Sequence, residues 1–159
     1  MGALERLTAI EEIKQLKARY LIAIDAKDWD TYAGVFAPDG LLDLDVEKEY
    51  HRGRPIDPGP DGPPWVARGR EQIHDFIAAA HAESVSVHEG HTPIIEITGE
   101  ETAKGTWGFH DYIVFADGSG FRGYGHYHET YSRIDGEWFI QSMSLTRIRL
   151  DWADDAKDL

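Results

Sequence analysis

The stretch TAKGTWGFHDYIVFA, residues 102–116, decides how the chain folds. Successive side chains of a strand point to opposite faces, so Trp107, Phe109, Asp111, Ile113 and Phe115 share one face. Four large apolar residues around one carboxylate describe a face meant for burial. Working outward, comparable runs lie at 84–98, 121–134 and 137–150. They are separated by Gly99-Glu100-Glu101, Asp117-Gly118-Ser119-Gly120 and Asp135-Gly136, all turn chemistry. Four long strands joined by tight turns predict an antiparallel meander.

Upstream the period changes. Residues 4–26 place Ile10, Ile13, Leu16, Tyr20, Leu21 and Ile24 on one helical stripe. Thr8 and Glu11 form a capping-box pattern, which predicts a frayed lead-in before them. Lys17 falls inside the stripe and is expected to snorkel to its edge. Asp28 caps a second helix, Trp29 to Phe36; a strand follows at Gly40–Val46, and a third helix spans Arg70 to Ala82. Three helices ahead of such a sheet make an α+β domain with the helices on one concave face.

Between them lies EKEYHRGRPIDPGPDGPPW, residues 47–65, with five of the seven prolines. It cannot be helical, and loops of this length usually serve as lids or partner-contacting arms. The length of 159 residues suits one domain over 1–159, with a frayed acidic tail at 154–159.

Composition removes several functions. Without cysteine there is no disulfide framework, thiolate metal site or cysteine nucleophile. A net charge of −13 repels phosphate backbones and anionic lipid, so neither nucleic acid nor a membrane is an expected partner. The apolar runs are too short to span a bilayer, and the N-terminus lacks a signal peptide's pattern, which predicts a cytoplasmic protein.

The candidate residues begin with Asp111. Burying a carboxylate is costly unless it is hydrogen-bonded or its pKa rises, which is how general acids and bases are made. Asp25 sits in the last turn of the first helix, where a negative charge opposes the macrodipole. Tyr20 lies mid-stripe and its buried hydroxyl needs a partner. His88 and His91 straddle the start of a strand leading into Pro93, and only histidine titrates near neutrality unperturbed. His126 and His128 share a strand face near His110, but the spacing matches no metal signature, and no metal or cofactor is expected.

Three stretches together resemble the SnoaL-like branch of the nuclear-transport-factor-2-like superfamily, and within it the bile-acid 7α-dehydratases. They are IEEIKQLKARYLIAIDAKDWD (10–30), VHEGHTPIIEITGEETAKGTWGFHDYIVFADG (87–118) and YSRIDGEWFIQSMSLTRI (131–148). The resemblance implies a cone, a curved antiparallel sheet wrapped around the helices with an internal pocket. It carries a pocket tyrosine and aspartate onto Tyr20 and Asp25, a histidine onto His88 rather than His91, and a sheet aspartate onto Asp111. A sheet arginine of related dehydrochlorinases corresponds to Arg147.

The implied activity is a cofactor-independent lyase that eliminates water or another leaving group from a mostly apolar cyclic small molecule. Tyr20, Asp25, His88 and Asp111 would be catalytic, with Trp107, Phe109, Ile113 and Arg147 against the substrate. An isomerase on an enolisable substrate, or a non-catalytic binding module, is the alternative. Alternation also places Tyr112, Val114, Tyr124, Trp138, Ile140, Ile148 and Leu150 on the sheet's other face. Such a patch needs a cover, and with the resemblance it predicts a homo-oligomer, a trimer ahead of a dimer.

Overall fold

The computed structural model describes residues 2–54 and 65–159. Ten residues of the proline-rich stretch, 55–64, lie outside the described residues, and with them most of the expected lid or arm. Helix α1 (Ala3–Ala26) leads into α2 (Trp29–Gly34), β1 (Phe36–Asp43) and a short α3 (Glu47–His51). After the gap come β2 (Val66–Arg68), α4 (Gly69–His81), β3 (Ser84–Gly90), β4 (Ile94–Ile97), β5 (Thr102–Phe115), β6 (Gly120–Ile134) and β7 (Glu137–Ala153). The strands form one curved, unclosed sheet in the order β2-β1-β7-β6-β5-β3, with β4 pairing β5 further along. The apolar stripe of α1, with Ile13, Leu16, Tyr20 and Ile24 buried, packs into its hollow. Each such side chain taken from water stabilises the fold by roughly 1.5–3 kcal/mol.

The α+β cone and its helices stand as the sequence predicts; several details differ. Helix α1 starts one turn early, because the Glu5 carboxylate accepts from Gly2 N at 2.6 Å and makes the capping box there. Lys17 does not snorkel: it is 1% exposed and paired with Glu129. Helix α2 stops at Gly34, since Ile140 N donates to Val35 O and draws the chain into the sheet four residues before the expected strand. The proline-rich stretch opens on helix α3, because its prolines begin only at Pro55.

The sheet is mixed, not wholly antiparallel. Strand β1 runs parallel to β7, with Leu42 opposite Met143. The run 84–98 splits at His91-Thr92-Pro93, where proline has no N–H to give the ladder. Strand β7 carries two register shifts, opposite Tyr124/Gly125 and Thr130/Tyr131. Each shift flips the side-chain parity of the residues beyond it. Simple alternation therefore misplaces Trp138 and Ile140, which are 4% and 0% exposed and belong to the core, not the outer face. The tail is docked, not frayed: Ala156 N donates to Gly118 O and Arg122 to Leu159 O.

Candidate active site

A cavity of about 50 Å³ lies between α1, α4 and the hollow face of the sheet. Tyr20, Tyr127 and Met143 make its floor, Phe109, Ile113, Phe121 and Phe76 its apolar walls. His51, His81, His88, Glu47, Asp111 and Arg147 bring polar groups to it. Strand parity puts Phe109, Asp111 and Ile113 here together, and no bulge interrupts β5 between them.

His88 is held from behind. Its Nδ1 lies 2.7 Å from Asp25 Oδ1, and its backbone N–H donates to Asp25 Oδ2 at 2.8 Å. Ser86 Oγ donates to the same carboxylate at 2.9 Å. Burial by itself would raise the Asp25 pKa. The hydrogen bonds from the His88 ring and backbone, the His88 charge and Ser86 outweigh it and hold the carboxyl below its ordinary value. Asp25 thus stays a carboxylate that fixes the ring, with Nε2 the ring nitrogen that makes no hydrogen bond among the described residues. The His81 ring stands edge-on to His88 at 5.9 Å. Burial first, then the charges of His88, Lys27 and His51, push the His81 pKa well down, so this ring is neutral.

Asp111 is 3% exposed and takes both its oxygens to Arg147, at 2.7 and 2.8 Å. Arg147 makes a second two-point contact with Glu47, at 2.8 and 2.9 Å, and Glu47 Oε2 lies 2.6 Å from His51 Nε2. Burial favours losing the guanidinium proton, but Asp111 and Glu47 outweigh it and raise the Arg147 pKa. Burial likewise favours neutral Glu47, yet His51 and Arg147 hold it below its ordinary value. Gly123 on β6 makes this possible: a methyl group there would overlap Arg147 Nη1 and Asp111 Oδ1. His51 stacks on Trp65 at 5.5 Å and meets Phe121 and Trp152 with its other sides.

Residues 5–144 match the model of the SnoaL-like domain, most of the chain. The chain belongs to the SnoaL-like domain family. Solved structures of the same fold include a hexachlorocyclohexane dehydrochlorinase, LinA type 2, with a TM-score of 0.77, 16% identity and coverage of 96% of this chain and 93% of that one. A protein from Novosphingobium aromaticivorans named for scytalone dehydratase is similar with a TM-score of 0.77, 15% identity and coverage of 94% and 91%. A Mycobacterium tuberculosis protein of unknown function reaches 25% identity with a TM-score of 0.73, over 94% of this chain and 78% of its own.

Within this SnoaL-like domain, Tyr20, His88, Asp111, Phe109, Ile113 and Arg147 meet at one cavity, with Asp25 directly behind His88. Trp107 is 6% exposed but sits beneath the cavity, donating its indole N–H to Tyr131 Oη at 2.8 Å. Tyr20 Oη accepts from Tyr32 Oη at 3.2 Å, and burial above all keeps both phenols protonated, as donors and not bases. His91 is exposed, and His126 and His128 lie on the outer face, the latter hydrogen-bonded to Thr146. No helix among the described residues is long and apolar enough to cross a membrane.

Sequence reasoning missed Glu47, His51 and His81. The i,i+4 spacing of Glu47 and His51 was available as a signal, but the prolines nearby argued against any helix to carry it.

Proposed function

We propose that this SnoaL-like domain is a cofactor-independent lyase. It removes a proton beside a carbonyl and expels a leaving group, water foremost, from a small, mostly apolar ring. The observation that carries this reading is His88, backed by Asp25 through both its ring and its backbone, lining a cavity with apolar walls and with no hydrogen bond to its Nε2 among the described residues. A base so oriented contributes roughly 10²–10⁴-fold. Tyr20 is the donor for the substrate carbonyl oxygen. Asp111, with both oxygens on Arg147, is a fixed countercharge in the wall and orients what binds.

The size of the cavity favours one ring over a fused steroid, since about 50 Å³ holds only a few atoms before its side chains shift. The apolar walls supply the low dielectric in which such hydrogen bonds strengthen. The family resemblance and the fold shared with a dehydrochlorinase support elimination over simple binding.

The test is enone formation from a racemic β-substituted cyclohexanone, followed in the ultraviolet. Wild-type protein is expected to turn it over, and His88→Ala to lose about 10²–10⁴-fold with an unchanged circular dichroism spectrum. Equal turnover by His88→Ala would sink the reading. In solution we further propose a homo-oligomer, a trimer first, on the exposed apolar residues Val85, Ile94 and Ile148; a monomer mass by light scattering would count against it.

A further inference from the structure

His88 accounts for the base, but expelling hydroxide also needs a proton donor. Asp111 and Glu47 are both spent on Arg147, and buried Tyr20 is assigned to the carbonyl. We infer that His51 is the catalytic acid: a second histidine–carboxylate couple, Glu47–His51, serves the same cavity as Asp25–His88 and delivers a proton to the leaving oxygen. This rests on the lyase reading above.

Three observations carry it. The two couples match in geometry: His51 Nε2 lies 2.6 Å from Glu47, and His88 Nδ1 lies 2.7 Å from Asp25. Each imidazole therefore turns one nitrogen to its carboxylate and leaves the other without a hydrogen bond among the described residues. Next, His51 Nδ1 is buried with no hydrogen-bond partner among the described residues, on a ring only 1% exposed. Of the orphaned polar atoms Glu12 Oε2, His51 Nδ1, His110 Nε2 and Trp138 Nε1, only that of His51 belongs to a residue lining this cavity. A buried polar atom left without a partner costs about 1–3 kcal/mol, so its retention points to a ligand that supplies the missing bond.

Last, the charges close. Asp111 and Glu47 are two carboxylates against one guanidinium, and His51 as imidazolium brings this buried set to zero. Trp65, Phe121 and Trp152 enclose the ring and hold it in place.

The step balances. His88 Nε2 takes the proton from the carbon beside the carbonyl, and the C–H electron pair becomes the new carbon–carbon double bond. The carbon–oxygen bond breaks with its pair on oxygen. That oxygen takes the Nδ1 proton of the His51 imidazolium and leaves as water. His88 ends protonated and His51 neutral, and exchange with solvent restores both.

The experiment compares two leaving groups, because chloride departs without a proton and hydroxide does not. The substrates are 3-hydroxycyclohexanone and 3-chlorocyclohexanone, corrected for background elimination. His51→Gln keeps an N–H for Glu47 and loses the second ring nitrogen, Nδ1. It is expected to cut kcat on the hydroxy ketone by about 100-fold or more, and on the chloro ketone by only a small part of that.

A variant-free measurement runs beside it. In wild-type protein the solvent deuterium isotope effect on kcat should be larger for the hydroxy ketone than for the chloro ketone, because only hydroxide leaves with the exchangeable proton of Nδ1. An equal loss on both substrates in His51→Gln, or equal solvent isotope effects on the two ketones, overturns the role of His51 and leaves the lyase reading intact. Wild-type protein inert to both ketones overturns the lyase reading, and this proposal with it.

Discussion

Two buried charged clusters lie on either side of the floor made by Tyr20, Tyr127 and Met143, and they are built to opposite ends. Behind the floor, Lys17 Nζ bonds Glu129 Oε1, stands over the rings of Tyr20 and Tyr127 at 3.8 and 3.6 Å, and touches Met143 Sδ. Tyr131 donates to the other oxygen of Glu129, and Trp107 donates to Tyr131. Burial lowers the Lys17 pKa, opposed by Glu129, while burial and then Glu129 raise that of Tyr131. This chain closes on itself, and none of its buried polar atoms lacks a partner among the described residues. In front of the floor, Asp111, Arg147, Glu47 and His51 form an equally buried chain that ends on an unmatched nitrogen. The difference teaches how to read buried charge: a saturated cluster specifies the fold, and one with a bond to spare specifies a ligand.

The comparison breaks most visibly at Lys17. Lys17→Met strands Glu129 in the core, and removing one member of a buried pair costs about 3–5 kcal/mol. The check is urea unfolding, with Lys17→Met/Glu129→Gln expected to recover a good part of the loss. A double variant no better than the single one would show that the pair is not the unit.

Gly123→Ala attacks the front cluster without touching a charge. The added methyl group must displace Arg147 or Asp111, and overpacking of this kind costs about 1–3 kcal/mol. Thermal unfolding reads the stability, and activity on the chloro ketone should fall further than stability predicts. An unchanged Tm would mean the pair has room to move.

Asp25→Asn sharpens the contrast, since it removes the charge behind His88 and turns one of the two accepting oxygens into a donor. About a 10-fold loss in kcat is expected, in keeping with the loss of a partner that orients a functional histidine. Stability should fall by about 1 kcal/mol for the hydrogen bond that is lost. Full activity in this variant would reduce Asp25 to a scaffold.

The smallest effect is a pH dependence of folding. His81 refuses a proton when folded, whereas an unfolded histidine takes one near its ordinary 6.5. Above that pH both states are neutral and nothing is gained or lost. Below it the unfolded state binds the extra proton, so stability falls by about 1 kcal/mol between pH 6.5 and 5.5. His81→Gln should flatten the Tm against pH over that window; an unaltered slope would assign it elsewhere.

Much of this was legible in the sequence because it rests on local periodicity. The stripe of α1 and the strict alternation of β5 put Tyr20, Phe109, Asp111 and Ile113 on inward faces without any knowledge of partners. What stayed hidden depends on pairing across distance. Lys17 looked like an edge residue because its counterpart is 112 positions away. Trp138 and Ile140 were misplaced because bulges are set by the neighbouring strand, not by the run that contains them. Glu47 and His51 stood beside prolines, and their worth appears only once Arg147 arrives from the last strand.

That last strand also sets a timetable. Strand β1 finds its parallel partner only in β7, where Leu42 meets Met143, 143 − 42 = 101 positions later. At about 5–20 residues per second of synthesis, the first quarter of the chain waits roughly 5–20 s for that partner to be made. The arginine that unites the front cluster is made later still. Until then Asp111 has no guanidinium to meet it and Glu47 has only His51, so a nascent chain lacking its final strand leaves Asp111 unpaired where the core should form. Ribosome-bound fragments that end before β7 should therefore be strong clients for chaperones.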